Sequence, residues 1–165
     1  MEDGDLRIEN LTADLSISAD DGDISMLACD VPSCRIRFND GDLDVTDSSG
    51  AFNLDIDDGD VRFDRVAARK LDACGEDGDM DIELRSVEDI DVDVALDDGS
   101  IVMTIEPGMS TAFTLDCDDG RIEVLLPGAV RLEQGRHWAS GETGGGEGRI
   151  RIRTSDGSIL LREGK

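Results

Sequence analysis

Apolar and polar side chains alternate along this chain in short runs, and the runs come in pairs. The first run of each pair follows an Asp-Gly dipeptide: Leu6 and Ile8; Ile24 and Met26; Leu43 and Val45; Val61 and Phe63; Met80, Ile82 and Leu84; Ile101, Met103 and Ile105; Ile122, Val124 and Leu126; Ile159 and Leu161. The second run leads into the next Asp-Gly: Leu15 and Ile17; Cys34, Ile36 and Phe38; Phe52, Leu54 and Ile56; Leu71 and Ala73; Ile90, Val92, Val94 and Leu96; Phe113, Leu115 and Cys117; Ile150 and Ile152. A period of two is the mark of a half-buried β-strand. The pattern therefore predicts an all-β protein with two short strands per unit, and no long stretch carries helical spacing.

The units repeat. Asp-Gly stands at Asp3-Gly4, Asp21-Gly22, Asp40-Gly41, Asp58-Gly59, Asp77-Gly78, Asp98-Gly99, Asp119-Gly120 and Asp156-Gly157, at intervals of 18, 19, 18, 19, 21, 21 and 37 residues. Self-similarity at a near-fixed period points to a stacked architecture. Asp-Gly between alternating strands also fits the tight turn of a hairpin, so an antiparallel meander forming a sandwich or barrel is the alternative. Near-constant unit length favours a single-stranded parallel β-solenoid, β-helix-like, of about 7–8 short coils, because stacked coils must keep register. Breakers at Pro32, Ser48-Ser49-Gly50, Pro107-Gly108 and Pro127-Gly128 mark the opposite corner of the coils. One domain over 1–165 is expected, interrupted by an irregular loop insertion at about 128–149. That insertion carries the lone His137, the lone Trp138 and the run Gly144-Gly145-Gly146.

Composition narrows the partners. The formal charge is −24, with lysine only at Lys70 and Lys165. A field of that sign repels phosphate backbones and anionic membrane surfaces, so no nucleic acid and no direct membrane insertion are expected. No apolar run approaches the roughly 20 residues that span a bilayer. Met1-Glu2-Asp3-Gly4 opens directly on a repeat and resembles no secretory leader, which fits an excised segment. Cys29, Cys34, Cys74 and Cys117 show no metal-ligand spacing, and buried thiols are the expected state. Cys29 and Cys34 bracket a Val-Pro-Ser turn and leave a local disulfide open as the alternative.

The units of the type Gly41-Asp42-Leu43-Asp44-Val45, and the closing segment Gly144-Gly145-Gly146-Glu147-Gly148-Arg149-Ile150-Arg151-Ile152-Arg153-Thr154-Ser155-Asp156-Gly157-Ser158-Ile159, carry a family resemblance. The chain resembles the bacterial putative-adhesin family of domains of unknown function, the DUF4097 type, over nearly its whole length. The resemblance implies a β-helix-like fold, a location at the cell envelope or outside it, and a role as a surface or scaffold interaction module. It brings no catalytic residues.

No nucleophile, base and orienting group cluster in any motif, so no catalytic, cofactor-binding or metal-binding residue is assigned and a non-enzymatic role is expected. A polysaccharide-active β-helix enzyme is the weaker alternative, because lysine, tyrosine and histidine are nearly absent as bases. A second alternative is a calcium-binding repeat domain. If the turns stack, Asp21, Asp40, Asp58, Asp77, Asp98 and Asp119 recur about every 4.8 Å, and oxygen ligands suit that ion. Asp55-Ile56-Asp57-Asp58-Gly59-Asp60 looks superficially like a calcium loop but lacks the closing Glu. Open solenoid ends invite end-to-end self-association, and neither end carries an obvious helical or proline cap. The partner is otherwise an unidentified protein or glycan.

Overall fold

The computed structural model describes residues 4–165, so Asp3 of the first Asp-Gly pair lies outside the described residues. Fourteen strands form one sheet system: β1 (Leu6–Glu9), β2 (Leu15–Asp21), β3 (Ile24–Leu27), β4 (Asp30–Asp40), β5 (Leu43–Thr46), β6 (Ser49–Asp58), β7 (Val61–Asp77), β8 (Met80–Leu84), β9 (Asp91–Asp98), β10 (Ile101–Ile105), β11 (Thr111–Leu125), β12 (Val130–Gln134), β13 (Trp138–Thr143) and β14 (Gly148–Glu163). Like strands of successive coils pair in parallel, Leu6 with Ile24 and Ile24 with Leu43, then Leu15 with Cys34 and Cys34 with Phe52. The fold is a parallel β-solenoid, and the meander is set aside. Among the described residues antiparallel pairing occurs only at one end, between β11 and β13 and between β13 and β12. Among the described residues no helix is long and apolar enough to cross a membrane.

Alternation places one residue in two inside. Ile36, Val45, Leu54, Val92, Met103, Leu115 and Ile152 are buried, and the four phenylalanines Phe38, Phe52, Phe63 and Phe113 lie among them. The core is therefore a narrow seam between two faces. Phe52 and Phe63 come from opposite faces of neighbouring coils and meet edge to face, with centroids 5.1 Å apart. Among the described residues no buried side-chain nitrogen or oxygen lacks a hydrogen-bond partner.

The coils do not stack in chain order. β14 pairs with β9 and β10 on one side and with β11 on the other, so the last unit lies between the sixth and the seventh. The charges on the outer face fit that order. Arg149 of β14 contacts Asp91 of β9 at 2.7 Å, Arg153 contacts Asp93 at 3.0 Å, and Arg151 contacts Asp93 at 3.4 Å. In chain order β9 would face β11, which offers Ala112, Thr114 and Asp116 at those registers and no cation.

The segment at 128–149 is not an irregular loop. It forms the hairpin β12–β13, which pairs with Thr111–Asp116 of β11 and covers that part of the end coil. The Thr143 hydroxyl donates to the Met109 carbonyl at 2.7 Å, and the Ser110 Oγ accepts from the Gly145 N–H at 2.8 Å. The glycine run thus wraps tightly around Ser110: a Cβ on Gly144 would come within 2.9 Å of the Ser110 Cα. Neither a helix nor a proline was expected to cap this end, and the element found along it is a β-hairpin. The wide 37-residue interval is the length of chain needed to build this cap and return into the stack.

At the second corner Pro107-Gly108 and Pro127-Gly128 form turns as expected, whereas the earlier coils differ. Pro32 lies within β4, at a register shift between Val31 and Cys34, rather than at a turn. The chain reverses there through left-handed residues that are not glycine: Asn10, Ala28, Asp47 and Arg65, with φ of 54°, 52°, 48° and 55°. Tertiary stacking holds these in a region that costs an L-residue of this kind about 1 kcal/mol or more.

Candidate functional site

The Asp-Gly corner is the most regular surface of the molecule. Each glycine there has a positive φ, and each from Gly22 onward points its missing side chain at the glycine of the adjacent stacked coil. A Cβ on Gly59 would lie 1.8 Å from the Gly41 carbonyl oxygen, one on Gly157 1.8 Å from that of Gly99, and one on Gly120 1.6 Å from that of Gly157. The Gly59 N–H in turn donates to the Asp77 carbonyl at 3.1 Å. Glycine is required here for close backbone approach between coils, more than for a hairpin turn.

Two columns of aspartate run along this edge. The residues before glycine pair in register from Asp21 to Asp40, Asp58, Asp77, Asp98, Asp156 and Asp119. Desolvation and then the charge of Asp77 push the Asp58 carboxyl above its ordinary value; desolvation and then Asp156 do the same for Asp98. Each also shares a side-chain hydrogen bond with its neighbour, Asp58 with Asp77 and Asp98 with Asp156. Like charges stacked in register thus favour the protonated form at these two positions of the column.

The second column consists of the residues after glycine, and the sequence reading gave it no role. The Asp23 carboxylate accepts the Asp42 N–H at 3.0 Å, Asp42 that of Asp60 at 3.1 Å, Asp60 that of Asp79 at 2.8 Å, and Asp79 that of Ser100 at 2.8 Å. These aspartates are structural, each satisfying a backbone donor of the next coil. The recurrence of Asp after Gly, in Gly22-Asp23, Gly41-Asp42, Gly59-Asp60 and Gly78-Asp79, was the signal available for them.

The resemblance of residues 55–60 to a calcium loop dissolves in three dimensions. Asp55 faces outward from β6 and pairs with Arg37 at 2.7 Å, Asp58 stands in the first column, and Asp60 accepts a backbone N–H in the second. Their carboxylates diverge. Among the described residues no group of three or more His, Cys, Asp or Glu side chains is arranged to hold a metal ion.

All four thiols are free, and no Cys29–Cys34 bridge is formed. Cys29, Cys34 and Cys117 are buried as expected, and burial pushes the Cys34 thiol up to about 11. Cys74 departs from the expectation: alternation in β7 turns Leu71 and Ala73 inward and Cys74 out to solvent. His137, remote from every cysteine in sequence, approaches Cys117, with its Nδ1 4.0 Å from the Sγ. Burial and then Asp118, Asp119 and Asp116 raise the Cys117 thiol, opposite to the shift a nucleophile needs.

Elsewhere the outer faces carry cross-coil ion pairs. Arg65 holds Asp47 through two nitrogens at 2.9 and 2.8 Å, and this hydrogen bonding keeps the Asp47 carboxyl below its ordinary value. A hollow of about 230 Å³ beside it is lined by Arg65, Glu83, Arg85, Thr104, Glu106 and Lys165. It opens to solvent among these charged side chains, and Leu84, Ile105 and Pro107 supply its apolar lining.

The family model described as Toastrack DUF4097 matches residues 1–162. Among solved structures, a putative cell adhesion protein from Clostridium sporogenes is similar at 10% identity, with a TM-score of 0.37 over 99% of this chain and 92% of that one. No curated protein matches the chain.

Proposed function

The chain belongs to the Toastrack DUF4097 family, and from that premise we propose that it is a non-enzymatic, adhesin-like interaction module of the cell envelope or cell exterior. The observation that carries the reading is the use to which its polar side chains are put. Six arginines, Arg37, Arg65, Arg85, Arg149, Arg151 and Arg153, are engaged in cross-coil ion pairs. The second aspartate column is spent on backbone N–H groups. The one close Cys-His pair, Cys117 and His137, holds its thiol protonated. What remains is a rigid scaffold presenting two strand faces and an acidic edge, suited to binding a protein or glycan over an extended surface.

The test is a binding and turnover assay on one preparation. Labelled protein is applied to a glycan array and to acidic and basic proteins at low and physiological salt, while the same ligands are monitored for cleavage. Saturable binding with unchanged ligand is expected. Turnover of a glycan or ester that tracks with the purified protein would overturn the reading.

A further inference from the structure

The corner dipeptide is also a reactive one. In Asp-Gly the glycine amide nitrogen can attack the aspartate carboxyl carbon, because glycine has no side chain to hinder the approach. The N–Cγ bond forms, the bond from Cγ to its hydroxyl breaks, and the amide proton and hydroxyl leave as water, closing a succinimide ring. Water then opens the ring. Attack at Cγ restores aspartate, whereas attack at the α-carbonyl leaves the main chain running through Cβ and Cγ as isoaspartate. The atoms of the starting chain are all retained.

Stacking holds most of these nitrogens away from their own carboxyls. The N–H groups of Gly22, Gly59, Gly78 and Gly99 donate to the carbonyls of Asp40, Asp77, Asp98 and Asp156 in the next coil, at 3.1, 3.1, 3.2 and 2.8 Å. Gly41 is packed between Gly22 and Gly59, and Gly157 between Gly99 and Gly120. All six of these glycines are half-buried. Gly120 stands differently. It packs on Gly157 on one side, and among the described residues no coil lies on the other, since β13 pairs with β11 along Thr111–Asp116 and β12 pairs with β13. The Gln134 side chain covers the Ile122 carbonyl, two residues beyond the corner. Gly120 and Asp119 are both exposed.

We propose that Asp119-Gly120 is a site of spontaneous modification, converting to isoaspartate in the folded protein ahead of the Asp-Gly links that are clamped between two coils. Carboxyl chemistry ranks the links otherwise. The neutral acid is the form that reacts, and Asp58 and Asp98, whose carboxyls are raised, favour that form. Both precede clamped glycines, so the clamp and the carboxyl make opposite predictions. The extra main-chain carbon at residue 119 falls where β11 is in register with Asp156 and Gly157 of β14, and it breaks the pairing of the Arg121–Leu125 segment that follows.

Peptide mapping with electron-transfer fragmentation, which separates isoaspartate from aspartate, tests this on native protein and on protein unfolded in urea, aged side by side at neutral pH. Asp3-Gly4 stands outside the comparison because Asp3 lies outside the described residues. In the native protein isoaspartate is expected at Asp119 about fivefold or more faster than at Asp21, Asp40, Asp58, Asp77, Asp98 or Asp156, the factor one net hydrogen bond is worth. In urea the rates are expected to converge. Asp119→Glu, an exposed change that lengthens the side chain and disfavours ring closure, is expected to remove the native signal. Equal rates across the native sites, Asp58 or Asp98 leading, or a native protein that stays unmodified at Asp119 while the unfolded one reacts would each overturn the proposal.

Discussion

Replacing Gly59 by alanine isolates the close approach of coils at the Asp-Gly corner when it is compared with the same change at Gly4. Both residues have a φ near the same value, +136° and +129°, so both substitutions incur the same backbone strain. They differ in what the new methyl meets. At Gly59 it falls 1.8 Å from the Gly41 carbonyl oxygen, and at Gly4 nothing lies within 4 Å. A non-glycine residue held in this region costs about 1–3 kcal/mol. Forcing apart well-packed groups adds about 1–3 kcal/mol. Gly59→Ala should therefore cost about 2–6 kcal/mol and Gly4→Ala no more than about 3. In a domain of this length each kcal/mol lowers the melting temperature by about 2–4 °C. Calorimetry with urea unfolding as a second measure would report both values. Equal losses at the two positions would refute the idea that coil contact, rather than turn conformation, demands the glycine.

Three further outcomes follow from the geometry. Asp58 and Asp98 hold protons more tightly when folded, so their contribution to stability is present below the ordinary aspartate value of about 3.9 and is lost as pH rises through their raised values. Asp47, held low by Arg65, acts in the opposite sense and loses its contribution on acidification. The melting temperature should thus rise on going from neutral to mildly acid pH and fall again at strongly acid pH. The double variant Asp58→Asn and Asp98→Asn should flatten the rise, and an unchanged rise would refute the column's role. Arg149→Glu should set like charges against Asp91 and cost about 0.5–1 kcal/mol by urea midpoint; no cost would remove these charges from the reasons for the strand order. Alkylation of the native protein should modify Cys74 alone at an appreciable rate, with Cys29, Cys34 and Cys117 reacting only on unfolding. Mass spectrometry showing a second fast site would contradict the burial described.

Much of the coil was legible in the chain because a strand's inward residues recur with period two wherever it is placed. Every member of the alternating rows from Cys34 to Phe38 and from Phe52 to Ile56 that was read as inward is buried. The Asp-Gly interval gave the coil length for the same reason, since stacked corners must align. The role of the aspartate after glycine was present as a recurrence but carried no meaning until its partner was known, because that partner is a backbone N–H about 18 to 21 residues ahead. The pairing of Cys117 with His137 was invisible for a similar reason, as it depends on the hairpin folding back along β11.

What the sequence determined by itself was thus the element type, the inward face and the repeat length, all set by local alternation and by glycine's steric freedom. Tertiary structure alone decided the order of the coils. Each unit presents nearly the same apolar pattern, so the core does not distinguish one neighbour from another. The choice falls to features outside the repeat: Arg149, Arg151 and Arg153 of β14 facing Asp91 and Asp93, and a hairpin that occupies the Thr111–Asp116 edge of β11. These act between residues as much as 60 positions apart. Periodicity holds no record of them, because they come into contact only once the chain has doubled back through its own stack.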